Sequence, residues 1–151
     1  MSINTHKIAI LQATNLLPRN IQSRILNNYK KPQKVRNRIA AGGRHSLGMR
    51  SIGSVVGWGF NDYGQTRPPS GPFVAIAAGG HHSLGIKADG SVVGWGSNEY
   101  GQITVPNEKG PFVAIAVGES HALGLRPNGS VVGWGEGGKG QTQPQKGPFV
   151  A

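Results

Sequence analysis

The sequence has no cysteine, only 15% charged residues and no apolar run long enough to cross a membrane as a helix. Without cysteine there is no disulfide framework and no thiolate metal site, and either redox compartment is compatible. The shortage of charge separates the chain from disordered, highly charged sequences. Ile8-Ala9-Ile10-Leu11 is too short for the apolar core of a signal peptide, and no cleavage-site pattern follows it. Acidic residues are missing from residues 1–50, which hold ten Lys/Arg, whereas residues 51–151 hold six of each sign. The net charge of +10 therefore belongs to the first third. Attraction to phosphate would come from that segment and not from the rest.

Glycine is abundant, at 25 residues, without a collagen period. That composition indicates tight turns between short strands. The chain repeats itself. Ile39–Gly59 recurs as Ile76–Gly96, with 16 of 21 positions identical, and again as Ile115–Gly135, with 13 of 21 identical to the second copy. Trp58, Trp95 and Trp134 mark the period, and His45, His82 and His121 keep the same spacing. The two extra residues of the second step fall in Ile103–Lys109, as expected of a loop insertion.

Each unit reads as strands. In the second copy, Phe73–Ala77 is an apolar run ended by Gly79-Gly80, and His82–Ile86 is a second candidate. Asp89-Gly90 supplies a hairpin turn, where positive φ is easiest, before a third strand at Ser91–Trp95. Asn98–Gln102 and the proline-containing stretch after it read as a turn and a short edge strand, where a missing N–H is tolerated. Three or four strands per ~40 residues, with a tryptophan near the end of each unit, fit propeller blades. A solenoid or β-prism is the competing arrangement. The fold class is thus all-β: a partial β-propeller of three blades at residues 39–75, 76–114 and 115–151. Before it lies a basic segment, residues 1–38, either disordered or containing a short helix between Asn15 and Asn28.

The residues Ile76-Ala77-Ala78-Gly79, His82-Ser83-Leu84, Gly90, Val92-Val93, Trp95-Gly96 and Gly101-Gln102 resemble the regulator of chromosome condensation repeat family. The first copy carries His45-Ser46-Leu47, Trp58-Gly59 and Gly64-Gln65; the third carries His121-Ala122-Leu123, Trp134-Gly135 and Gly140-Gln141. The resemblance covers residues 39–151. It departs from the family in three ways. The repeats are compact, as in microbial relatives. A glycine (Gly48, Gly85, Gly124) stands where the family usually has alanine. The family propeller typically has seven blades, against three here. Gly147–Ala151 repeats Gly71–Ala75, so the sequence stops as a fourth unit opens. That predicts a fragment, or half of an assembly closed by a second copy as a homodimer.

Candidate sites are few. His45, His82 and His121 are potential metal ligands as residue types. One histidine per repeat is instead expected to be structural, with its ring satisfied by backbone groups, so no metal site is expected. His81 has no copy in the other units and is expected to be exposed. Trp58, Trp95 and Trp134 are expected in equivalent buried positions between blades. Gly59, Gly96 and Gly135 permit close backbone approach there. Asp62, Glu99 and Glu136 follow the tryptophans and are expected to be solvated. No nucleophile–base order, Walker loop or dinucleotide fingerprint is present, so neither catalysis nor a cofactor is expected.

In the N-terminal segment, Lys30, Lys31, Lys34, Arg36 and Arg38 are the candidate nucleic-acid contacts. The same segment reads as a solvated leader, an organelle presequence, a nuclear-import arm or the start of an F-box. Localisation is expected in the cytoplasm or nucleus, with an organelle as the alternative. The leading function is a non-enzymatic protein-interaction module, because a rigid ring with variable loops suits protein recognition. The resemblance implies a second reading: guanine-nucleotide exchange on a small GTPase, with chromatin contact through the basic tail. No insertion matches the projection that the founding protein uses. The third reading is a microbial cell-surface or secreted repeat protein.

Overall fold

The computed structural model describes residues 18–20 and 38–151. The chain divides into two compact units, Met1–Val35 and Arg36–Ala151. In the first, Arg19 and Asn20 are helical; the helix expected between Asn15 and Asn28 otherwise lies outside the described residues. So do Lys30, Lys31, Lys34 and Arg36.

The described residues of the second unit form nine strands in three antiparallel sheets. Sheet 1 is β1 (Ile39–Ala41), β2 (His45–Met49) and β3 (Val55–Gly59). Sheet 2 is β4 (Ala75–Ala78), β5 (His82–Ile86) and β6 (Val92–Gly96). Sheet 3 is β7 (Ala114–Val117), β8 (His121–Leu125) and β9 (Val131–Gly135). Register is the same in all three, with Ser46 opposite Trp58, Ser83 opposite Trp95 and Ala122 opposite Trp134. The second hairpin turns where expected. Gly90 has φ of +86°, its N–H donates to the Lys87 carbonyl, and Asp89 accepts from Ser91 N–H. Gly53 and Gly129 take the same conformation in the other copies.

The expected fourth, edge strand is not formed among the described residues. After each third strand the chain turns back on itself, and side chains rather than a ladder hold it. Asn61 accepts from Thr66 N–H, and Asn98 from Ile103 N–H. Gln65, Gln102 and Gln141 accept from Tyr63, Tyr100 and Lys139 N–H. This is why the returning chain passes so close to the first glycine of Gly-Trp-Gly. A Cβ on Gly57 would meet the Thr66 backbone at 2.6 Å. The inserted loop carries one 3-10 turn, Asn107–Lys109.

The core lies between sheets rather than within them. Leu47 of sheet 1 packs with Phe73, Ile76 and Trp95 of sheet 2. Leu84, Ile86 and Val92 of sheet 2 pack with Phe112, Ala122, Val132 and Trp134 of sheet 3. Each sheet thus has a leading face toward the sheet before it and a trailing face toward the sheet after it. Gly-Pro-Phe couples them: Phe73 N–H donates to the Gly53 carbonyl in the sheet 1 turn, while its ring packs on Gly85 and Trp95 of sheet 2. Phe112 repeats this between Gly90 and Trp134.

Candidate functional site

The histidines are placed by a glycine three residues earlier. A Cβ on Gly42 would meet the His45 ring at 2.7 Å, and one on Gly79 would meet the His82 ring at 2.6 Å, so each ring lies flat against its own turn. At the first junction a buried network crosses the sheets. His45 Nε2 is 2.8 Å from Ser83 Oγ, Ser83 Oγ donates to the Gln65 carbonyl at 3.1 Å, and Trp95 Nε1 donates to the same carbonyl at 2.9 Å. Backbone groups were expected to satisfy the rings, but a serine hydroxyl from the next sheet does so for His45. His45 Nδ1 has no partner.

The second junction lacks that hydroxyl, because Ala122 replaces the serine. His82 is fully buried and neither ring nitrogen makes a hydrogen bond. Burial lowers its pKa to about 4, helped by the neighbouring charges of His45 and His121. Backbone groups of Glu119 and His121 offset this in part without reaching hydrogen-bond geometry. Burial, then His81, also lowers the His45 pKa. Among the described residues, no three His, Asp or Glu side chains gather as a metal-binding group.

The three tryptophans share one register position but not one environment. Trp95 and Trp134 are 7% exposed, and each donates to the carbonyl of the preceding unit's Gly-Gln glutamine. Trp58 is 55% exposed, which corrects the expectation of equal burial. A tryptophan of this kind is covered by the preceding unit's glutamine turn and by a phenylalanine, and position 36 holds arginine where later units hold Phe73 and Phe112. Sequence reasoning missed the role of Gly-Gln: its side chain ties its own turn, and its carbonyl receives the next tryptophan.

The loop face carries a cluster of aromatic and basic side chains. His81 is not simply exposed. Its ring lies 5.1 Å from Tyr63 and 5.6 Å from Phe60, and the Arg44 guanidinium sits 5.8 Å over Phe60. Tyr63 remains 52% exposed. The β1–β2 loop supplies Arg44, the β4–β5 loop supplies His81, and the segment after β3 supplies both rings. The signal lay in a break of the repeat: Phe60 stands where the other copies have Ser97 and Glu136. Asp62 and Glu99 are exposed as expected, and Glu136 is half-buried.

The regulator of chromosome condensation (RCC1) repeat matches this chain three times, at residues 37–65, 73–102 and 112–141. The chain belongs to that repeat family. Its three sheets are RCC1-type propeller blades, and solved structures share their fold. Human WBSCR16 superposes with a TM-score of 0.61 at 24% identity, over 74% of this chain and 38% of that one. Yeast RCC1 (Prp20), solved with Kap60, gives 0.56 at 22%, over 66% and 32%. The ectodomain of the Physcomitrella patens receptor kinase CR4 gives 0.58 at 29%, over 64% and 28%. The RCC1-repeat chain thus spans about a third of the length of these structures. No curated protein sequence matches it.

Proposed function

We propose that this RCC1-repeat chain is a non-enzymatic protein-interaction module that recognises its partner through the loop face at the junction of sheets 1 and 2. The carrying observation is the cluster of Arg44, Phe60, Tyr63 and His81. Arginine and aromatic rings are the side chains most enriched where protein interfaces concentrate their binding energy. Here they stand on loops that leave hydrogen-bonded strands and are tied by the Asn61 and Gln65 side chains, so little ordering is needed on binding. The yeast relative supports this reading: one solved structure has it bound to Kap60, and another is described with binding to Gsp1p and histones.

The test compares proteins recovered by the intact chain and by a Tyr63→Ser, Phe60→Ser chain, followed by titration of the purified partner. Binding should weaken by about 30-fold or more in the variant. Recovery of the same partners at the same affinity by both chains would remove the cluster from recognition.

A further inference from the structure

The two ends of the sheets differ in charge. The loop face lies at one end of the strands, and the β2–β3, β5–β6 and β8–β9 hairpin turns lie at the other. Each hairpin opens on a cation at the same register position. These are Arg50, Lys87 and Arg126, whose carbonyls accept from the N–H groups of Gly53, Gly90 and Gly129. Arg67, Lys109 and Lys146 lie on the segments that reach this end before each Gly-Pro-Phe. Arg126 Nη1 donates to the Lys109 carbonyl at 3.4 Å, and Gly71 and Gly147 stand against the Gly53 and Gly129 carbonyls. Arg50, Arg67, Lys109 and Lys146 are exposed, and Lys87 and Arg126 are half-buried. Among the described residues, the acids at this end are Asp89 and Glu108; Asp62, Glu99, Glu119 and Glu136 lie at the loop end with Arg44 and Lys139. The six acids and six cations of residues 51–151 thus balance in number but not in place.

We propose that this hairpin rim binds an extended acidic polypeptide segment laid across the three sheets. Packed sheets stand about 10 Å apart, and three residues of extended chain also span about 10 Å. Carboxylates at every third residue of such a segment therefore meet Arg50, Lys87 and Arg126 in turn. The planar fork of an arginine takes a carboxylate through two hydrogen bonds, and lysine takes one as a point charge. Because the sheets stack through their faces, a further sheet on either side would lengthen this rim and leave it open.

The residues between the cations favour a polypeptide over a nucleic acid or a bilayer. The third position of each turn holds Ile52, Asp89 and Asn128 in the three sheets. Ile52 is 78% exposed and offers an apolar contact to a partner side chain. The Asp89 carboxylate is fixed on the rim by Ser91, whose N–H and Oγ donate to it at 2.9 and 2.6 Å. Duplex DNA carries one charge per ~1.7 Å of its axis, so its phosphates would meet Asp89 and Glu108 as well as the cations. A sheet of anionic headgroups would do the same. A polypeptide sets its carboxylates apart and can place apolar and polar side chains over Ile52 and Asp89.

The experiment titrates the full chain, at low salt, with a fluorescent peptide carrying glutamate at every third position among serines. A second peptide of the same composition has its glutamates adjacent. The spaced peptide should bind more tightly by about fivefold or more. Its affinity should fall by about fivefold or more in an Arg50→Ser, Lys87→Ser chain, which leaves the Arg126 bonds in place. Lys87→Arg should preserve binding, and circular dichroism should show the sheets retained in every variant. Duplex DNA and phosphatidylserine vesicles are titrated alongside. Three results would each overturn the proposal: equal affinity for the two peptides, peptide binding indifferent to the double substitution, or DNA or vesicle binding that falls in the variant as far as peptide binding does. The Tyr63→Ser, Phe60→Ser chain should bind the spaced peptide as the unaltered chain does, so this outcome is independent of recognition at the loop face.

Discussion

His82 is the residue whose chemistry is most displaced by folding. Its pKa falls from 6.5 to about 4, so between those values the unfolded chain binds a proton that the folded chain does not. Stability contributed by neutral His82 is therefore complete above pH 6.5 and is lost as pH falls toward 4. Urea unfolding between pH 7 and pH 5 should show stability decreasing by up to about 1.4 kcal/mol per pH unit from this group. In a His82→Gln chain that slope should shrink, and an unchanged slope would place the proton elsewhere. The cause of the orphaned ring is equally specific. Ala122 occupies the position from which Ser83 reaches His45. Ala122→Ser should supply the hydroxyl and raise stability by about 0.5–1.5 kcal/mol. A loss of stability in thermal melts would mean the hydroxyl cannot reach the ring.

At the scale of the strand, identical Gly-Trp-Gly segments carry unequal loads. Trp95 touches Leu47 and Phe73 and donates a buried hydrogen bond, so Trp95→Ala should cost about 3–5 kcal/mol. Trp58→Ala should cost about 1 kcal/mol or less, because half of that ring already faces water. Denaturant titrations giving equal losses would mean that strand position, not the neighbouring sheet, sets the energy. Strand sequence made the register legible: the His-x-Leu and Val-Val-Gly-Trp runs and the turn glycines sit where the repeat put them. The edge strand was misread because Asn61, Asn98 and the Gly-Gln glutamines satisfy the returning backbone with side chains, a role their turn-like composition shares with ordinary loops.

At the scale of the whole molecule, the charge map divides the chain. Residues 1–38 hold eight Lys/Arg and no acid, so affinity for duplex DNA is expected to reside there. Titration at several salt concentrations should show log affinity falling with log salt by about 0.9 per phosphate neutralised, and deletion of residues 1–38 should abolish that binding. Equal binding by the truncated chain would assign it to the blades. Among the described residues the blades stack in series, sheet 1 against sheet 2 and sheet 2 against sheet 3, so the energy of each depends on the sheet beside it.

Period, strand order, hairpin turns and family were determined by the sequence alone, because each follows from residues close together in the chain. A turn needs Gly90 beside Asp89, and a repeat needs only its own recurrence. What tertiary structure decided were the pairings across junctions. Trp95 finds Gln65 thirty residues back, and His45 finds Ser83 thirty-eight residues on. Burial of a tryptophan, the pKa of a histidine and the gathering of Arg44, Phe60, Tyr63 and His81 all depend on which sheet stands next. A repeat pattern assigns every copy the same place, but burial is a property of the neighbour, and the neighbours differ.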